Sequence, residues 1–228
     1  MSKEKRYPRG YGKVEPVADY RPWELDQSFL DSADVCQEHT KVDIYRLYEL
    51  WHLISQLASV SGDILEVGLW RGGSAGLMGL AIDKFGPKRH LWLADTFAGV
   101  VKAGPRDDYY KGGEHADTSL EIVQGFLNNL RLTEYTVLSG VFPEETAHLV
   151  ECDAIALCHI DVDVYQSAKD VADWVWPRMP VGGIIVYDDY GFYGCEGVTA
   201  FVNEEAARAD RLVIHNLNGH AVVVKTQS

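Results

Sequence analysis

The 228-residue sequence predicts an α/β protein with one doubly wound, mostly parallel, seven-stranded sheet. Five short apolar runs alternate with stretches of helical periodicity, which is the pattern of repeated strand–helix units. Four of these runs are almost continuously apolar, as strands covered on both faces tend to be. Two further strand-like runs flank Asn218 and Gly219 near the end of the chain and predict a closing antiparallel hairpin.

The N-terminal part of the chain differs from the rest. Residues 1–40 are rich in Tyr, Pro, Arg and Asp and have weak periodicity, so we expect an extension or lid there. Residues 41–228 are expected to form the main domain. Its first element is an amphipathic helix in "KVDIYRLYELWHLISQLASV", which Gly62 ends.

The other elements follow in chain order. Strands are predicted in "DILEVG", "HLWLADT", "YTVLSG", "AIALCHID", "GGIIVYDD", "RLVIHNL" and "HAVVVKT". Helices are predicted over residues 74–85, 117–131, 143–150, 166–178 and 197–209. Residues 99–116 fit neither pattern, and a loop of that length in a compact domain is usually functional or disordered. We expect it to be a lid that orders over substrate.

Net charge, apolar runs and cysteine spacing argue against several partners and locations. The formal charge is 21 − 34 = −13, which argues against a broad surface for nucleic acid or an anionic membrane. The first residues have no apolar core typical of a signal peptide, and no apolar run approaches the roughly 20 residues that span a membrane. The four cysteines form no CxxC pair, so we expect reduced thiols in a cytoplasmic protein.

A cofactor site is expected at the carboxyl ends of the first two strands, where ligands bind in such sheets. Glu66 and Gly68 leave the first strand and enter "LWRGGSAG", whose glycines let the backbone approach a ligand closely. Asp95 ends the second strand, where an acid commonly accepts hydrogen bonds from a ribose. Because the pyrophosphate-binding motifs are missing, this pattern favours S-adenosylmethionine. The remaining predicted cofactor contacts are Arg71, Gly72, Gly73, Ser74, Ser139 and Asp161.

Paired acids follow two apolar strands. Asp161 and Asp163 end one run, and Asp188 and Asp189 end the next. If the two strands are neighbours, their ends lie about 5 Å apart, and Asp161, Asp188 and Asp189 converge. Neither motif contains Lys or Arg, so such a cluster requires a cation, and an all-oxygen set suits Mg²⁺, Ca²⁺ or Mn²⁺. We expect Asp163 to face away from this set or to support it.

Taken together, the motifs "GDILEVGLWRGGSA", "ADTFAGV", "HIDVDVYQSAKD", "GGIIVYDDYG" and "GCEGVTAFV" resemble the macrocin O-methyltransferase (TylF-like) family. The resemblance runs from about residue 38 to 203. It implies a Rossmann-like class I fold, S-adenosylmethionine and Mg²⁺ as cofactors, and methylation of sugar hydroxyls on antibiotics. It also implies metal ligands at Asp161, Asp188 and Asp189, with Asp161 as the candidate base, and a cofactor site around Glu66, Gly68 and Asp95.

The expected substrate is a small glycosylated molecule, with a secondary hydroxyl of a deoxysugar as the acceptor, and the enzyme is expected to be a homo-oligomer. Three alternatives remain open at this point. A metal-dependent catechol-type O-methyltransferase would use the same residues. A glycosyltransferase would use "DVD" as a metal-binding DxD motif. In a non-catalytic binding module, the acids would only cap helices.

Overall fold

The computed structural model describes residues 7–15 and 17–227. Residues 1–6 and 16 of the predicted extension, and residue 228 of the predicted main domain, lie outside the described part. The strands are β1 (Asp63–Val67), β2 (Leu91–Asp95), β3 (Tyr135–Ser139), β4 (Ile155–Ile160), β5 (Ile184–Tyr187), β6 (Arg211–His215) and β7 (Ala221–Lys225). They form one sheet in the order β3-β2-β1-β4-β5-β7-β6.

The first five strands are parallel, and β7 is antiparallel to both β5 and β6. The strand order reverses between β1 and β4, which are adjacent at the centre of the sheet. Connections leave these two strands toward opposite sides, and a crevice forms at their carboxyl ends. The predicted mostly parallel sheet with an antiparallel C-terminal hairpin is confirmed.

Helices cover both faces of the sheet. They are α1 (Gln27–Cys36), α2 (Ile44–Gln56), α3 (Gly73–Phe85), α4 (Leu120–Asn129), α5 (Tyr165–Val175) and α6 (Glu196–Glu205). Helices α1 to α4 share one core layer with strand residues such as Ile64, while α5 and α6 share the other with residues such as Leu65. Successive strand side chains point to opposite faces, so both faces must be apolar. This explains the unbroken apolar runs in the sequence.

Helix α1 lies inside the segment expected to be an extension. Phe29, Ala33 and Cys36 are buried, and their spacing of four and three residues places them on one helix face. Asp26 caps the helix by accepting a hydrogen bond from the backbone N–H of Phe29 at 3.1 Å. The Tyr- and Pro-rich flanks obscured this short pattern. The domain division at residue 40 stays a prediction, and α1 packs into the core beside α2 and α3.

The predicted helix over 143–150 is wrong. Only Ala147–Leu149 forms a helical turn there, of the 3₁₀ type. The backbone mixes bonds to the fourth and the third preceding residue, as in Ala147 to Pro143 and Leu149 to Thr146. A segment of this length gains too few hydrogen bonds to offset helix nucleation on its own. Among the described residues, no helix has the length and apolar character needed to cross a membrane.

Candidate active site

A cavity of about 480 Å³ opens at the carboxyl ends of the parallel strands. Its wall combines the ends of β1, β2, β4 and β5 with residues 40–46, the 99–116 loop and the segment after β5. Six of the predicted site residues line it: Gly68, Ser74, Asp95, Asp161, Asp188 and Asp189. Five others are not part of its lining: Glu66, Arg71, Gly72, Gly73 and Ser139.

Three carboxylates meet on the floor of this cavity. Strands β4 and β5 are adjacent, and Ile160 pairs with Tyr187 in register, so the acids that follow these residues begin at the same level. One oxygen each from Asp161, Asp188 and Asp189 lies within 4.8 Å of the others. The structure therefore brings together the set that the sequence predicted. All are oxygen donors, as a hard divalent cation requires.

Asp188 also has cationic and imidazole partners, which come from elements far away in the sequence. Arg46 on α2 donates from its guanidinium to Oδ2 of Asp188 in a buried ion pair. Nε2 of His220 lies 2.8 Å from Oδ1, and Nε2 of His159 lies 3.4 Å from the same oxygen. The positive charge that the two acidic motifs lack is thus supplied in part by Arg46.

These surroundings shift the pKa values of the three carboxyl groups in different directions. Burial opposes ionisation of Asp188, but hydrogen bonds from His159 and His220 and the charge of Arg46 outweigh it, so its pKa lies well below the usual range. Burial, together with repulsion by the neighbouring carboxylates, raises the pKa of both Asp161 and Asp189 well above the usual range. The floor therefore carries one firmly ionised carboxylate beside two that resist ionisation without a cation.

The sequence leaves two possibilities for Asp163, which would either face away from the three acids or support them. It lines the wall, with a positive φ of 65°, and its backbone N–H donates to Oδ2 of Asp189 at 2.8 Å. The thiol of Cys195 lies 3.9 Å from Asp163 and 3.7 Å from Asp189. Asp163 thus supports Asp189 through its backbone, and its carboxylate forms a second close group with Asp189 and Cys195.

Glu66 lies beneath the cavity, inside the sheet. Its side chain is fully buried, and Oε1 lies 2.8 Å from Nδ1 of His159 on the neighbouring strand. Burial lowers the pKa of His159, but the hydrogen bonds that its ring donates to Asp188 and Glu66, together with their negative charge, outweigh this effect and raise the pKa to about 10. His159 is therefore a core histidine with polar partners at both ring nitrogens. A cofactor contact by Glu66 stays a prediction.

The glycine-rich turn shapes the path of the chain between β1 and α3. Gly68 has φ +92°, and a Cβ there would lie 1.7 Å from the carbonyl oxygen of Asp161. Gly73 touches the backbone that follows α1, where a Cβ would lie 2.6 Å from the carbonyl carbon of His39. Arg71 turns outward and donates to Asp117, at 3.0 Å. The glycines allow close backbone contacts, and their cofactor roles stay predictions.

Asp95 organises the opposite wall of the cavity. Oδ2 accepts hydrogen bonds from the backbone N–H groups of Leu69 at 2.7 Å and Trp70 at 3.1 Å. Oδ1 accepts from the N–H of Phe97 at 2.7 Å. The carboxylate fastens two loops, and Oδ1, which accepts only one of these three bonds, keeps further acceptor capacity. Ser139 lies beside Asp95 at the end of β3 and is exposed.

The 99–116 loop has no helix or strand, as expected, but it is firmly attached. The buried carboxylate of Asp107 accepts from the N–H of Gly104 at 2.8 Å and from the N–H of Tyr165 at 2.9 Å. Tyr109, Tyr110 and His115 of this loop line the cavity. The loop therefore forms a wall of the site in this structure.

Aromatic rings surround the cavity mouth. Tyr109 is 69% exposed and Tyr193 is 51% exposed, although both line the cavity. Tyr7 and Tyr11 of the N-terminal segment contact Tyr193 edge to face, with ring centroids 5.8 and 5.5 Å away. The segment predicted as an extension or lid thus reaches the rim of the site.

Comparison with known proteins gives the family. A family model described as Macrocin-O-methyltransferase (TylF) matches residues 27–221, most of the chain. The chain belongs to the TylF macrocin O-methyltransferase family. It is an S-adenosylmethionine-dependent O-methyltransferase, and the glycosyltransferase and non-catalytic alternatives are set aside.

Two relatives and one solved structure illustrate the similarity. Demethyldecarbamoylnovobiocin O-methyltransferase from Streptomyces niveus is 30% identical over 198 residues, covering 79% of this chain and 74% of the relative. The 8-demethyl-8-(2,3-dimethoxy-alpha-L-rhamnosyl)-tetracenomycin-C 4'-O-methyltransferase of Streptomyces olivaceus is 30% identical over 169 residues, covering 69% and 64%. The structure of the O-methyltransferase NovP superposes with a TM-score of 0.70 at 27% identity, covering 83% of each chain.

Several residues around the site were not identified from sequence. Arg46 had a detectable signal, because it lies four residues before buried Leu50 and so shares the inward face of α2. Lys41 places its ammonium 2.6 Å from Nδ1 of His115 and 4.5 Å from the centre of the Trp70 ring. His220 follows a turn, and nothing in its local pattern indicates that it reaches the acid cluster.

Proposed function

We propose that this family member methylates a hydroxyl group on the sugar of a glycosylated natural product, as a step in antibiotic biosynthesis, with Mg²⁺ as its metal cofactor. The convergence of Asp161, Asp188 and Asp189 on the cavity floor is the observation that carries the proposal. The relative from Streptomyces olivaceus is named for methylating a rhamnosyl-bearing tetracenomycin, which supports a sugar acceptor.

The residues present fit a magnesium ion. Three carboxylate oxygens within 4.8 Å of one another offer a hard donor set on one side, and the open cavity leaves the other side free. Mg²⁺ is typically bound through carboxylate oxygens and keeps several positions for water or substrate oxygens. When bound, the ion would lower the pKa of an acceptor hydroxyl and fix its orientation.

The methyl donor would lie on the other side of the cavity. S-adenosylmethionine supplies a methyl group activated by its sulfonium charge. Asp95 would accept hydrogen bonds from the ribose hydroxyls while it holds the backbone of residues 69, 70 and 97 in place. Gly68 and Ser74 line the same region and would allow a close approach of the ligand.

A carboxylate must accept the proton of the acceptor hydroxyl. Asp161 is our proposed base, since it lies in the cluster and lines the cavity. Asp163 is a second carboxylate in the same wall. Substitution by Asn distinguishes the two residues. If the base is also a metal ligand, the variant enzyme loses both metal affinity and turnover. If the base lies outside the set of metal ligands, the variant enzyme loses turnover but keeps its metal affinity.

The cavity mouth suits an acceptor with an apolar body. The rings of Tyr109, Phe192 and Tyr193 lie at the opening. Aromatic rings bind the apolar faces of sugars and planar aglycones well because they offer large, flat contact areas. The acid cluster would then act on the sugar, while the rim holds the rest of the molecule.

A panel assay with labelled S-adenosylmethionine tests the acceptor class. Glycosides with adjacent free hydroxyls, the matching aglycones and simple catechols should be compared with and without Mg²⁺. We expect methylation of glycosides, at a rate lost in excess chelator. If catechols had a much higher kcat/KM than any glycoside, the sugar proposal would be wrong and the catechol alternative would take its place.

We also propose that the enzyme is cytoplasmic and forms a homo-oligomer. All four cysteines are free and three of them are buried, which fits a reducing compartment. Light scattering coupled to size-exclusion chromatography would measure the oligomeric state, and a monomer at working concentration would contradict that part of the proposal.

A further inference from the structure

A polar chain links the acid cluster to helix α2 through the C-terminal hairpin. His220 is fully buried in the turn just before β7. Its Nε2 lies 2.8 Å from Oδ1 of Asp188, and its Nδ1 lies 2.6 Å from Oε2 of Glu49 on α2. Asn216, in the same turn, donates from its side chain to the other carboxylate oxygen of Glu49. The imidazole is therefore held between two carboxylates.

This arrangement limits how the Asp188 side chain can rotate. Arg46 holds Oδ2 from one side, while His220 holds Oδ1 at 2.8 Å and His159 lies farther away, 3.4 Å from the same oxygen. His220 is fully buried and Arg46 reaches the cavity wall, and the Asp188 carboxylate held between them still lines the cavity beside the other two acids of the cluster. A ligand carboxylate fixed in this way loses less conformational freedom when it binds an ion.

We propose that His220 is a positioning residue for Asp188, and that Glu49 in turn fixes the orientation of His220. The inference rests on the proposed metal centre and extends it to two residues outside the cavity lining. The hairpin β6–β7 thereby becomes part of the site, and helix α2, which already supplies Arg46, supports it at a second residue, although neither element contributes a ligand. Outer partners of metal ligands typically change affinity by about 10- to 100-fold when lost.

Manganese binding to the protein without substrate provides the test. Calorimetry with MnCl₂ measures the metal affinity, and calorimetry with S-adenosylhomocysteine in metal-free buffer measures the cofactor site independently. In His220→Asn the shorter amide reaches only the Glu49 side, whereas in His220→Gln the amide reaches the Asp188 side. We expect about tenfold weaker Mn²⁺ binding in H220N, a smaller loss in H220Q, and unchanged affinity for S-adenosylhomocysteine.

Glu49→Gln provides a second test if the variants at buried His220 do not fold. The Glu49 side chain is 20% exposed, so this substitution should disturb the fold less. It should weaken Mn²⁺ binding by at least about threefold at an unchanged melting temperature. His52→Asn, at an exposed position on the same helix, is the matched control and should bind Mn²⁺ like the wild type. If folded H220N or E49Q bound Mn²⁺ with wild-type affinity, the inference about His220 and Glu49 would be wrong, while the proposed metal centre would stand. Failure of the wild type to bind Mn²⁺ would overturn both the metal centre and this inference.

Discussion

Gly68 and Asp161 touch at the point where β1 and β4 end. A Cβ on Gly68 would lie 1.7 Å from the carbonyl oxygen of Asp161, and Gly68 has φ +92°. The close approach brings the cofactor-side strand and the acid cluster into direct backbone contact. Any side chain at position 68 would push the two strand ends apart.

Gly68→Ala should therefore damage both the fold and the site. We expect a loss of roughly 3–5 kcal/mol of unfolding free energy, because backbone strain and a backbone clash add. Gly182→Ala is the control: Gly182 has a similar φ of +87°, but its Cβ would meet only Val60, at 3.5 Å. That variant should lose about 1–2 kcal/mol. Urea denaturation measures both, and equal losses would show that the contact with Asp161 is unimportant.

Asp161→Asn should abolish turnover while the affinity for S-adenosylhomocysteine changes by only a few-fold. This variant is cleaner than Asp188→Asn, because Asp188 neutralises buried Arg46 and its loss leaves a charge unpaired. Chelator should inactivate the wild type, and Mg²⁺ should restore it. Asp83→Asn, at an exposed position, is the control. Full activity in excess EDTA would rule out the metal centre.

Asp95→Ala should weaken S-adenosylhomocysteine binding by about 1.5–3 kcal/mol, the range for a lost charge-assisted hydrogen bond. The structure adds a second expectation: the three backbone N–H groups that Asp95 accepts from lose their partner, so the melting temperature should fall as well. Calorimetry and thermal unfolding separate the two effects. A lower melting temperature with unchanged affinity would assign Asp95 a structural role only.

Asp107→Ala should release the 99–116 loop. Removing the acceptor for the N–H groups of Gly104 and Tyr165 should lower local stability by about 1.4 kcal/mol, which raises tryptic cleavage at Arg106 and Lys111 roughly tenfold. Asp108→Ala, at the exposed neighbouring position, should have little effect. In the wild type, S-adenosylhomocysteine with Mg²⁺ should slow cleavage. Equal cleavage with and without these ligands would count against a lid.

The sequence by itself determined the sheet and the position of its acids. Continuous apolar runs indicate strands buried on both faces, and parallel strands place the residues that follow them at one edge. Asp161 and Asp188 had to come together once β4 and β5 are neighbours, and the structure shows that they are. Short-range periodicity was sufficient to locate the strands and the acids that follow them, because strand type and side-chain direction depend on neighbouring residues. The predicted helix over 143–150 is wrong although Ala147 is buried in the core, because a pattern of eight residues is too short to indicate helix type reliably.

Only the tertiary structure decided what surrounds those acids. Arg46 is 142 positions from Asp188 in the sequence, and Glu49 is 171 positions from His220. Such contacts depend on how helix α2 and the final hairpin pack across the sheet, which no local pattern encodes. The same packing placed Glu66 beneath the cavity beside His159 and turned Arg71 outward to Asp117. The sequence located the edge of the sheet where the site lies, and long-range packing determined which side chains face into it.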